Sequence, residues 1–123
     1  MRAPAISRTL ARPARQRVGV YHAHVYFDAR TRQAARRVRG ALAARFAVDC
    51  RWRDRPIGPH TRPNVRVRFS ARQFGRLVPW LMQHHEGLSV LVHPYTEDQV
   101  ADHSERALWL GPPVRLKLAF LRR

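Results

Sequence analysis

Lysine, cysteine and acidic residues are all scarce in this 123-residue chain, and it has no long apolar run. Lys117 is the sole lysine, so nearly all of the 24 basic residues are arginine. Eight Asp and Glu oppose them, leaving a formal charge of +16. Such a balance raises nucleic acid as a partner. The arginines, however, are spread along the whole chain, and no zinc finger, recognition helix or RNP-like aromatic strand is present. Nucleic acid is therefore not the favoured partner. Cys50 cannot close an internal disulfide, which is compatible with a reducing compartment, the cytoplasm. No apolar stretch approaches the roughly 18–20 residues that cross a bilayer, so no membrane role is expected. The start of the chain also lacks the apolar run of a secretory signal.

The length suits one domain with a real core. Residues 1–17 carry five arginines, no acid and no apolar periodicity. They read as a disordered basic extension, with some likeness to an organelle transit peptide. The folded domain is expected over residues 18–123.

Within it, residues 18–27 alternate as a strand. His22, His24 and Tyr26 share one face; Ala23, Val25 and Phe27 share the other, which reads as the core side. Two imidazoles one pleat repeat apart are either half of a metal or acid–base site or polar residues on a solvated face. Asp28 or Thr31 can cap a helix whose apolar stripe is Ala35, Val38, Leu42 and Phe46, with arginines toward water. Residues 46–53 alternate as a second strand, with Cys50 on its buried side. A Pro- and Gly-rich loop, residues 54–64, carries His60.

Val65, Val67 and Phe69 form the inner face of a third strand, with Arg66 and Arg68 opposite. Ser70 caps a second helix with an apolar face of Phe74, Leu77, Val78, Leu81 and Met82. Pro79 must kink that helix or begin its second half. Gly87 is positioned to terminate it. Residues 88–93 form a fourth strand, a polar loop follows, and residues 100–109 read as a short helical segment. Residues 114–121 alternate as an extra C-terminal strand. His84 and His85, at a helix end, and Trp80 and Trp109 read as structural.

The order is the βαββαβ of the ferredoxin-like, α+β class: a four-stranded antiparallel sheet covered on one face by two helices. In the usual order 4-1-3-2, strands one and four are antiparallel neighbours. His22 and His93 then meet at one end of the uncovered face, beside His24, Arg66 and Arg68.

These residues carry a family resemblance. HAHVYF at residues 22–27, GPH at 58–60, VPWL at 78–81, GLSVLVHP at 87–94, and DH at 102–103 with WLG at 109–111 resemble the DOPA 4,5-dioxygenase family in order and across nearly the whole domain. The resemblance implies an enzyme: extradiol ring cleavage by O₂ of a catechol such as 3,4-dihydroxyphenylalanine, in a homodimer joined through the open sheet face. It maps the family's motif histidines onto His22, His24, His60, His93 and His103. The chemistry asks for a redox metal, Fe(II), with zinc as another possible occupant, and molecular oxygen as co-substrate. His22, His24 and His93 are the expected metal ligands, and His103 a further ligand or base. His60, Arg66, Arg68 and Tyr26 are expected to contact substrate, with Tyr26 equally suited to a dimer contact. A two-His, one-carboxylate set would need Glu97, Asp98 or Asp102 to swing toward the sheet. The family pattern leads one to expect Asn and Gly where this chain has Tyr95 and Glu97, and a left-handed turn there would strain Glu97. The alternative function is a non-catalytic ferredoxin-like dimer that binds a small aromatic acid.

Overall fold

The computed structural model describes residues 18–122; the expected N-terminal extension, residues 1–17, lies outside them. The elements are β1 (Val20–Tyr26), α1 (Arg32–Arg45), β2 (Asp49–Arg53), β3 (Asn64–Ser70), α2 (Phe74–His84), β4 (Val90–Pro94), α3 (Gln99–Asp102) and β5 (Leu108–Leu110). The class is α+β, and the five strands form one antiparallel sheet in the order β2-β3-β1-β4-β5. The first four strands in sequence follow the split βαβ order expected from the sequence.

Period-two alternation fixes what each face carries. Ala23, Val25, Val65, Val67, Val90 and Val92 point to the helix side and pack against Val38 and Leu42 of α1 and Leu77 and Leu81 of α2. Asp28 starts α1 by accepting the N–H groups of Arg30 and Thr31 at 2.9 and 3.0 Å. The Ser70 N–H donates to the Gln73 side chain at 3.1 Å ahead of α2. Helix α2 runs through Pro79 as one element, so the proline begins no second half. Cys50 is half-buried rather than fully buried, because β2 is an edge strand.

The C-terminal third departs from the sequence reading. The expected helical segment over residues 100–109 ends at Asp102, and Leu108–Leu110 instead pairs with β4 as the fifth strand. Pairing there satisfies the β4 edge that would otherwise lie open. Gly111 then turns the chain at φ 70°; a Cβ there would stand 2.9 Å from the Leu88 carbonyl oxygen. Residues 114–121 are not a strand: Leu116 makes one bridge to His60, and Leu118–Leu121 is a 3₁₀ turn. Pro112 and Pro113 supply no N–H donors for a ladder. The Lys117 N–H donates to Pro59 at 2.8 Å, tying this segment over the sheet.

The second sheet face is therefore covered within one chain on its β1–β4–β5 side, where Tyr26, Leu91 and Val114 form a small apolar cluster with Trp109 and Leu116. Glu97 has no left-handed strain; among the described residues the non-glycine with positive φ is Glu86, at 53°. No helix among the described residues is long and apolar enough to cross a membrane.

Candidate metal centre

Five histidines converge beneath that cover. His22 and His24 come from β1 and His93 from β4, with His22 opposite His93 in the antiparallel register. His60 descends from the β2–β3 loop, and His103 caps the C-terminus of α3. All five are less than a tenth exposed. With Arg53, Arg66, Arg68 and Tyr95 they line a cavity of about 250 Å³. That is below the ~300–1,000 Å³ usual for drug-sized ligands, and gives room for a single-ring molecule. A larger surface depression of about 560 Å³ beside Ser70 and Gln73 contains no histidine.

Neighbouring acceptors fix the tautomers. The Asn64 amide donates to the Arg62 carbonyl at 3.2 Å, which turns its oxygen toward His24 Nδ1 at 3.0 Å. His24 therefore carries its proton on Nδ1. His93 donates from Nδ1 to the Pro94 carbonyl at 2.7 Å, and His103 from Nδ1 to Gln99 at 2.8 Å. Each then has a lone pair on Nε2. His24 Nε2 and His93 Nε2 face each other at 3.2 Å, and His22 Nε2 is buried with no hydrogen-bond partner among the described residues.

Protonation does not relieve this. Burial first, then the neighbouring His93, Arg66 and Arg68, lowers His22 to about 3. Burial, then His103, lowers His93 to about 4. Burial, then His103, His93 and Arg53, lowers His60 to about 3. Burial drives His24 well below its ordinary value and lowers His103 as well. At neutral pH the cluster is thus a set of neutral imidazoles, of which His24, His93 and His103 keep a lone pair on Nε2, the donor a divalent metal takes.

Two trios have ligand atoms mutually within 4.8 Å: His22, His24 and His93, and His24, His60 and His103. Hydrogen bonding separates them. Burial keeps the Tyr26 hydroxyl protonated, and it donates to His60 Nδ1 at 2.7 Å. That leaves the His60 proton on Nε2 and its one in-plane lone pair, on Nδ1, engaged by Tyr26. That constraint falls on the second trio and not on the strand-borne one.

The structure brings His22, His24, His60, His93, His103, Arg66 and Arg68 onto one cavity, but not Tyr26. Its ring lies behind His60, packed toward Trp109, so its contact with the cavity runs through His60. The carboxylates do not swing in. Asp102 accepts from Thr96 N–H at 2.7 Å and from its hydroxyl at 2.8 Å, and Asp98 caps α3 through Ala101 N–H. His84 and His85 bond the Trp80 and Leu88 carbonyls instead of joining the cluster. Sequence reasoning missed Asn64, Arg53 and Tyr95. The loop expected over residues 54–64 takes in Asn64, but β3 begins at that residue, which places it on the Arg66–Arg68 face. Tyr95 stacks on His22 at 4.9 Å, and Arg68 lies over the Tyr95 ring at 5.4 Å.

The model of the Dopa 4,5-dioxygenase family matches residues 21–120. The chain belongs to the DOPA 4,5-dioxygenase family. A DOPA 4,5-dioxygenase from Amanita muscaria is 33% identical over 111 residues, covering 82% of this chain and 49% of that protein. An uncharacterized 21.2 kDa protein from Botryotinia fuckeliana is 32% identical over 119 residues, covering 85% and 64%. The chain thus spans about half to two thirds of the length of these fungal relatives. A crystal structure of a candidate dioxygenase from Nostoc punctiforme superposes with a TM-score of 0.83 at 46% identity, covering 98% of this chain and 97% of that one.

Proposed function

We propose that this chain is an extradiol dioxygenase that opens the ring of a catechol with O₂ at a metal held by His22, His24 and His93. The observation that carries the reading is the His24–His93 pair: two Nε2 atoms at 3.2 Å whose Nδ1 protons are both committed to acceptors. Opposed lone pairs in a buried site call for a cation between them.

A bound redox metal would supply the spin-allowed route between a catechol and O₂ that organic groups alone lack. The chain's own side chains do the rest. His103 Nε2, its proton held on the far nitrogen by Gln99, is free to accept a catechol proton. His60, polarised by Tyr26, turns an Nε2–H toward the cavity as a donor. Arg66 and Arg68 offer guanidinium groups to an anionic ligand. Tyr95 supplies an aromatic wall beside His22. The overhanging β2–β3 loop and C-terminal segment limit water access.

Anaerobic loading with Fe(II), followed by oxygen and a panel of catechols that includes 3,4-dihydroxyphenylalanine, tests the proposal. Yellow ring-opened semialdehyde is expected. Bound iron and bound catechol without any such product would leave the non-catalytic aromatic-acid binder as the reading. We also propose a homodimer that covers Ile57 and Tyr95, which are 46% and 45% exposed at the cavity; light scattering of a monomer at micromolar concentration would refute it.

A further inference from the structure

Across the histidine face, β1, β3 and β2 pair in three cross-strand rows: His22–Arg68–Asp49, His24–Arg66–Arg51 and Tyr26–Asn64–Arg53. Cross-strand partners project to the same side of a sheet, so the histidine end passes directly into an arginine wall toward β2. Arg53, Arg66 and Arg68 all line the cavity. Arg66 reaches Asp49 at 2.9 Å through its outer nitrogen, yet the Nε atoms of Arg53 and Arg66 are buried with no partner among the described residues. Buried guanidinium donors without acceptors are unsatisfied until an anion arrives.

Counter-charge is missing from the same wall. Among the described residues, none of the side chains that line the cavity is acidic. Of the acids on the surrounding elements, Asp54 bonds Arg32 and Trp52, Asp98 sits at the start of α3 and Asp102 bonds Thr96 and Arg106, while Glu97 is exposed and outside the cavity lining. Three guanidiniums against the single carboxylate of Asp49 leave a net positive wall.

We propose that this cavity selects a catechol whose side chain is purely anionic, a carboxylate without an amino group, over the zwitterionic amino acid for which the family is named. The inference rests on the reading above in taking a catechol as the ligand and in placing its hydroxyls at the strand-borne trio. With its hydroxyls at His22, His24 and His93, a ring would direct its opposite side chain toward Arg53, Arg66 and Arg68. A carboxylate there meets forked donors. An ammonium beside it meets like charge and no acceptor carboxylate, a juxtaposition that opposes binding.

The test is a binding series on metal-loaded protein under nitrogen, where no turnover occurs. The probes are 3-(3,4-dihydroxyphenyl)propanoate, 3,4-dihydroxyphenylalanine and dopamine, which share a ring and differ in side-chain charge. The propanoate should bind about tenfold or more tighter than the amino acid, and dopamine weakest. Raising salt from 50 to 500 mM should narrow the series. Arg53→Gln should lower the propanoate-to-dopamine affinity ratio about tenfold, and Arg53→Lys should restore part of it. Equal or tighter binding of the amino acid in the unaltered protein overturns the proposal. Admitting oxygen afterwards tests the dioxygenase reading separately: absence of ring-opened product from every probe defeats that reading and leaves the affinity order standing.

Discussion

The two faces of the sheet are buried to a similar degree by opposite means. On the helix side Ala23, Val25, Val65, Val67, Val90 and Val92 lose water to the apolar surfaces of α1 and α2. That burial is favourable at roughly 25 cal/mol per Å² and stabilises the fold. On the other side five imidazoles are less than a tenth exposed. Polar rings gain nothing from leaving water unless each is bonded, and here several inward nitrogens face one another. One face holds the protein together. The other is held in place by it, and stays costly until a ligand arrives.

Removing apolar volume should therefore cost stability while leaving the site chemistry of the folded fraction intact. Leu42→Ala, at a fully buried position of α1, is expected to destabilise by about 3 kcal/mol in urea unfolding, with metal stoichiometry unchanged in the folded protein. Little loss would mean the helix-side core is not the source of stability.

The opposite lesion is His93→Ala. Metal affinity should fall at least about a hundredfold, while the far-ultraviolet circular dichroism of the metal-free protein is retained. Undiminished uptake by titration would move the metal to the second trio, His24, His60 and His103.

Acid separates the faces without mutation. His22, His60 and His93 are lowered to about 3, 3 and 4, so between those values and the ordinary 6.5 the unfolded chain binds protons that the folded chain does not. Stability must then fall as pH drops below about 6.5. His93 alone should contribute a loss of about 2 kcal/mol at pH 5 relative to pH 7.5. Urea midpoints with chelator present measure this. A midpoint that does not move between pH 7.5 and 5 would mean that the imidazoles are not held neutral by burial.

The smallest expected effect comes from the support of one ligand. Asn64→Leu deprives His24 Nδ1 of its acceptor and should weaken metal binding about 10–100-fold. Asn64→Asp keeps an acceptor and should bind nearer to the parent. Equal behaviour of the two variants by metal competition would show that Asn64 only fills space.

Much of the fold was legible because alternation is local. A period of two names the buried face of β1, β3 and β4 from the residues themselves, and the order of elements selects the arrangement of the first four strands. That arrangement makes strands one and four antiparallel neighbours and so brings His22 and His93 to one end of the sheet; the structure sets them directly opposite. The C-terminal third was misread because short apolar runs do not declare their partners. Leu108–Leu110 is a strand only because the β4 edge is free beside it, and residues 114–121 cross the sheet only because Pro59 and His60 hold them there.

The candidate site divides along the same line. The strand histidines and the basic character of β3 follow from side-chain period and register, which the sequence carries alone. The tautomers, the retirement of Tyr26 behind His60, the engagement of Asp102 with Thr96, and the addition of Asn64, Arg53 and Tyr95 depend on which distant group stands within about 3–5 Å. No local pattern encodes that distance. It is decided when the loops close over the sheet, because hydrogen bonds and charge act over a few ångströms of space whatever the separation along the chain.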